Sequence, residues 1–152
     1  MLTSLGRHCD LALLLTRFLF GFTLLFAHGG PKLMSADLQA RVGQAMETFG
    51  ITFGFRFWGM MAGITEVTAG VLFIIGFGVR PAAIAMLFIM FVAISQAVAR
   101  TGGVLGSTPA VDAAAGYIAL VAFGAGRYSL DRKLGLDRRD AARVAAVRAK
   151  GA

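Results

Sequence analysis

Apolar residues in this chain gather in four runs separated by polar or glycine-rich breaks. One run organises the others: residues 55–78, FRFWGMMAGITEVTAGVLFIIGFG, are charged only at Arg56 and at Glu66. About 20 residues rising ~1.5 Å each cross ~30 Å of hydrocarbon, so this stretch is long enough to span a bilayer as one helix. The same test predicts spans at residues 11–28, 82–99 and 110–127, the last of them short and dependent on its flanks to reach across. Between the first two spans, Leu38, Val42, Met46 and Phe49 recur at helical spacing, which predicts an amphipathic segment on the membrane surface or capping the bundle, ended by Gly50. In the GFGVRP turn, Pro81 suits the first position of a helix. The fold class expected is therefore all-α: a polytopic membrane protein built as an up-down four-helix bundle, with a short amphipathic segment after the first span.

Two domain-level pieces follow, a membrane domain over residues 1–128 and a basic aqueous tail over residues 129–152. Composition agrees, since 57% of the residues are hydrophobic and the mean hydropathy is +0.74, where soluble chains are ~45–50% apolar. The 20 glycines suit helices that pack in lipid through small residues. Arg17 interrupts the first apolar run and no small-x-small cleavage pattern follows, so an uncleaved span is expected rather than a signal peptide. The lone Cys9 excludes an internal disulfide.

The net charge of +7 would suggest nucleic acid in a soluble protein, but here the basic residues sit at chain ends and helix boundaries, where they report topology. Arg7, Arg80, Arg127, Arg132, Lys133, Arg138, Arg139, Arg143, Arg148 and Lys150 fall on one side; Lys32, Arg41, Arg56 and Arg100 fall on the other. Both termini are expected to be cytoplasmic, with no nucleic-acid partner.

A carboxylate at the depth of Glu66 costs several kcal/mol unless it is neutral or paired, which makes it a candidate functional residue in search of a partner. Counting from the inner ends of their spans, Arg17 and Glu66 differ in depth by roughly 7 Å, within reach of a guanidinium. That pair is expected, either as part of a site or as a device that fixes helix register. His28, Lys32, Gln96 and Asp112 lie towards the outer ends of the spans and are expected to line a polar pocket leading down to Glu66, with Glu66 and His28 handling protons. The alternative for these four is interfacial snorkelling and helix capping. Gly59 and Gly63, with Ala62 and Gly70, make a small face for close helix packing. No phosphate loop, nucleophile elbow or metal-spaced Cys/His set occurs, so no catalytic motif stands in the chain alone.

An arginine in the first apolar helix (Arg17), HGGPK after it (His28 to Lys32), a glutamate followed by a glycine in the second helix (Glu66, Gly70) and a GFGVRP turn closing on Arg80 and Pro81 together resemble the DoxX family of small bacterial inner-membrane proteins. The resemblance implies a four-helix membrane bundle linked to oxidoreductase systems, with quinone as the carrier, no covalently bound cofactor, and Arg17, His28, Lys32, Glu66 and Arg80 at the matching positions. Two functions follow. One is a membrane subunit or partner of a quinone-linked oxidoreductase system, sulfur or oxidative-stress related, with electrons supplied by a redox partner protein. The other is a non-enzymatic scaffold or assembly factor whose basic tail docks a soluble partner. A homo-oligomer fits the glycine-rich faces.

Overall fold

The computed structural model describes residues 2–135. Its elements are α1 (Leu2–Thr23), a π-helical turn (Leu24–Gly29), α2 (Gly30–Met34), α3 (Ala36–Gly43), a 3-10 turn (Gln44–Phe49), α4 (Phe55–Ile75), α5 (Val79–Thr101), a second 3-10 turn (Val104–Ser107), α6 (Thr108–Phe123) and α7 (Leu130–Lys133). Three helical runs are long and apolar enough to cross a membrane, His8–Met34, Phe55–Ile75 and Val79–Thr101, and Thr108–Phe123 is a shorter apolar helix. The all-helical bundle expected from the sequence is present. At 16 residues α6 spans ~24 Å, less than a full bilayer core.

The first run differs from expectation at its far end. It was expected to stop near residue 28, where HGGPK reads as a loop, yet Gly29 and Gly30 both keep right-handed helical geometry and Pro31 falls in the first turn of α2. Proline is tolerated there because the N–H it lacks would have no intrahelical acceptor. Lys32 is thereby carried on a helix rather than in water.

Close backbone approach sets the register of α1 against α4. A Cβ on Gly21 would lie 2.7 Å from the Gly70 carbonyl oxygen, and one on Gly70 would lie 2.9 Å from that of Gly21. Eight residues further along the first run and one turn back along α4, a Cβ on Gly29 would be 2.8 Å from Val67 and 3.0 Å from the Cβ of Glu66. The helices therefore run antiparallel with Gly21 level with Gly70 and Gly29 level with Glu66. At the end of the bundle away from the α4–α5 connection, α3 lies across the start of α4, where a Cβ on Gly59 would sit 1.8 Å from the Gln39 carbonyl oxygen. The expected small face of α4 is thus used to seat α3 and α2.

The interior is narrow. Phe73, Met86, Leu120, Val79 and Ala83 are fully buried, and Tyr117 stacks its ring 4.9 Å from Phe20 and 6.0 Å from Phe73, joining α1, α4 and α6. By contrast Leu15, Leu19, Phe22, Phe26, Phe88, Phe91, Ile118 and Phe123 are exposed. An apolar exterior of that extent is a liability in water and the ordinary lipid-facing surface of a membrane protein.

At the other end Gly76 and Gly78, both at positive φ, make the sharp α4–α5 turn. The chain after α6 folds back onto it: the N–H of Asp131 donates to the Gly76 carbonyl (2.9 Å), and its carboxylate accepts from the N–H groups of Gly78 (2.8 Å) and Val79 (3.1 Å). Asp131 thus caps α5 from a distant segment, where a negative charge is also favoured by the helix dipole. Residues 129–135, expected as the start of an aqueous tail, are held on the bundle by these bonds; residues 136–152, the rest of that tail, lie outside the described residues.

Candidate functional site

Because Gly29 sits against Glu66, the next turn of the same helical run places Lys32 one turn of α4 farther out, beside Gly63. A Cβ on Gly63 would lie 3.2 Å from that of Lys32, so the missing side chain leaves a track for the lysine stem along α4. The Lys32 ammonium donates to Glu66 Oε1 in a direct ion pair. Its members are unequally sheltered, with side chains 15% exposed for Lys32 and 3% for Glu66. The second carboxylate oxygen, Oε2, is buried without a hydrogen-bond partner.

The π-helical turn shapes this arrangement. With hydrogen bonds running i→i+5, each residue there turns roughly 20° less than in an α-helix, so the face slips by roughly 70° between Leu24 and His28. Gly29 thereby returns to the α4-facing side below Leu24, while His28 leaves the Arg17 face and becomes exposed. Such turns are frequent at functional sites.

Above the pair lies a cavity of about 1070 Å³ bounded by the π-helical turn, α2, α4, α5, α6 and the α3 cap. Its polar lining comprises His28, Lys32, Thr65, Glu66, Gln96 and Tyr117. The walls are apolar: Leu24 and Met61 inside, Val42 and Met46 from the cap, Ala113 from α6. Ile84, Phe88 and Phe91 line it yet are exposed on the outer side of α5, so the cavity opens towards lipid. Phe49 of the cap meets Phe91 at 6.0 Å and closes part of that side. The cap itself is fixed through Gln39, whose amide donates to the Leu33 carbonyl while its oxygen accepts from Arg56 Nε, both at 3.3 Å.

Four of the six residues expected at the site meet in this cavity: Glu66, His28, Lys32 and Gln96. Asp112 does not line it and is exposed on the first turns of α6. Arg17 is at the opposite end. The expected Arg17–Glu66 pair is not formed, because the Gly21–Gly70 register carries Arg17 level with the α4–α5 turn, where its Nη2 donates to the Tyr128 carbonyl at 2.6 Å. Glu66 lies ten residues before Gly76, or ~15 Å up α4, twice the depth difference counted from the ends of the apolar runs. Arg17 is 1% exposed and packs against Gly76, and its Nε and Nη1 are buried without a hydrogen-bond partner.

Sequence reasoning missed Tyr117, Thr65 and Trp58, all cavity residues, and the Asp131 cap. A tyrosine inside an otherwise apolar short span was the available signal for the first. Thr65 is already engaged, donating its hydroxyl to the Met61 carbonyl at 2.8 Å. Among the described residues no three His, Cys, Asp or Glu side chains gather as a metal set.

Comparison with known proteins gives one match, the family described as DoxX, over residues 12–100. That stretch holds Arg17, His28, Lys32, Glu66, Arg80 and Gln96, and it ends with α5, before α6. No curated protein and no solved structure matches the chain.

Proposed function

The chain belongs to the DoxX family of membrane proteins, and on that premise we propose that it is a membrane subunit of an oxidoreductase system that holds a quinone or similar lipid-soluble carrier in the cavity beside Lys32 and Glu66. The observation that carries the reading is the cavity's polarity: apolar walls, an opening towards lipid along α5, and a buried ion pair at the inner end. Ligand sites have this composition, a mostly apolar enclosure with a few placed polar groups. A quinone taken up there accepts two electrons and two protons in becoming a hydroquinone. Lys32 can donate a hydrogen bond to a ring oxygen, and Glu66 can accept one from a ring hydroxyl. His28, exposed and yet lining the same cavity, is a polar group between the pair and the cavity rim. Electrons come from a partner protein, since the sequence contains no motif for a resident redox centre.

The excess of basic residues at the α4–α5 turn end supports an orientation with that end, and both termini, in the cytoplasm of a bacterial-type inner membrane and the cavity in the outer half. The deciding experiment is purification in mild detergent followed by analysis of co-extracted lipids and proteins. Quinone recovered with a redox enzyme supports the subunit; partner proteins without quinone support the scaffold reading instead. Trp58 supplies a second measurement, because it is the only tryptophan and lines the cavity, so saturable quenching of its emission reports occupancy.

A further inference from the structure

We propose that the cavity selects an uncharged, lipid-soluble molecule bearing a hydroxyl donor at its polar end, and therefore holds a hydroquinone in preference to the corresponding quinone. The inference rests on the carrier reading above and adds a chemical preference to it.

Charge comes first. Lys32 and Glu66 neutralise one another at the inner end of the cavity, and the other polar groups there, Thr65, Gln96 and Tyr117, are uncharged side chains. His28 stands at the exposed rim. Arg17 and Asp131 lie at the far end of the bundle, Arg17 bonded to Tyr128 and Asp131 to the α5 N-terminus. A fatty acid or an amine brought to the inner end would add a charge with no counter-charge to meet it, in surroundings where that is heavily penalised. A neutral headgroup adds none.

Hydrogen-bonding capacity comes second. Glu66 Oε1 is taken by Lys32, and the Thr65 hydroxyl is spent on the Met61 carbonyl. Glu66 Oε2 remains, buried and without a donor. What that oxygen lacks is a donor, and a buried acceptor left unmet is more costly than one paired. Quinone oxygens only accept; a phenolic or alcoholic hydroxyl donates. Methylating that hydroxyl removes the donor at little change in shape, which makes the ether the discriminating probe. For a two-electron couple a tenfold preference for the reduced form raises the bound potential by ~30 mV.

The test uses the full chain in lipid nanodiscs with Trp58 emission as readout. Three probes are titrated separately: a decyl-substituted hydroquinone kept reduced under argon, its dimethyl ether, and decanoate. The expected order is saturable binding of the hydroquinone, at least tenfold weaker binding of the ether, and no saturable response to decanoate. Equal affinities for hydroquinone and ether, or decanoate binding as tightly as either, overturn the preference while leaving a carrier site in place. No saturable response to any probe overturns the carrier reading and this inference together. Because the wild-type chain suffices, the result does not depend on a variant folding; a Glu66→Gln protein that folds is expected to lose the gap between hydroquinone and ether.

Discussion

Removing the Lys32 ammonium is the most informative single perturbation of the buried pair. Lys32→Met keeps the length of the stem in its track beside Gly63 but leaves the Glu66 carboxylate, 3% exposed, with no partner on either oxygen. Breaking a buried pair by taking away one member costs about 3–5 kcal/mol when the remaining charge stays ionised, and protonation of the carboxyl relieves part of that. Glu66→Gln is a milder change. The orphaned ammonium is on a flexible stem, 15% exposed, beside the open cavity, and it can swing towards water where a carboxylate fixed in the middle of α4 cannot. We expect Lys32→Met to destabilise by about 3 kcal/mol, Glu66→Gln by about 1–2 kcal/mol, and the double variant Lys32→Met with Glu66→Leu to regain most of the loss, since apolar replacement of a whole buried pair is often neutral. The assay is reversible unfolding in mixed detergent micelles, with Glu66→Leu alone as the second single variant that closes the double-mutant cycle. If Lys32→Met is as stable as the parent, or the double variant is worse than either single one, the pair is not the buried, mutually dependent unit described above.

Three further outcomes follow from other parts of the molecule. Gly59→Val pushes a side chain into the Gln39 carbonyl, so α3 must lift; Trp58 quenching by a quinone probe is expected to weaken at least tenfold while the protein stays inserted, and unchanged quenching would show that the α3 cap does not shape the cavity. Asp131→Ala removes the acceptor for two N–H groups at the start of α5, at a cost of about 1–2 kcal/mol, and should make the chain after Gly124 sensitive to added protease; a resistant, equally stable protein would contradict the capping role. Fluorescent protein fused after residue 152 is expected to be bright and alkaline phosphatase at the same place inactive, the reverse pattern overturning the orientation.

The helices and their lipid-facing character were legible because both depend on runs of residue type, which the chain states directly. Glu66 was legible for the same reason, as a charge where none is cheap. Its partner was not. Depth along a span was counted from where polar residues begin, whereas the true register comes from Gly21 meeting Gly70 and Gly29 meeting Glu66, contacts between residues some 40–50 positions apart. Lys32 was read as loop because two glycines and a proline precede it, yet all three are compatible with helix when proline falls in a first turn. The π-helical turn, one extra residue folded into a regular run, left no mark in the hydropathy pattern. Asp131 caps α5 only because Gly124 and Gly126, both at positive φ, turn the chain back, which is a tertiary event.

Arg17 and Lys32 therefore do different work in this bundle, and their partners show which. Arg17 is met by a backbone carbonyl at Tyr128, on the segment that folds back after α6 and carries Asp131, and it is not among the residues that line the cavity. Its geometry ties the chain after α6 to the α4–α5 turn, a task any membrane bundle of this topology must solve in some way. Lys32 is met by a carboxylate at the floor of a cavity open to lipid, where a smaller cost would have been incurred by leaving both positions apolar. A buried ion pair contributes little net stability over a hydrophobic pair of the same volume, so stability alone gives no reason to place one there. On the carrier reading proposed above, the reason lies in what the cavity receives, and the unmet Oε2 of Glu66 marks the hydrogen-bond donor that such a molecule would supply.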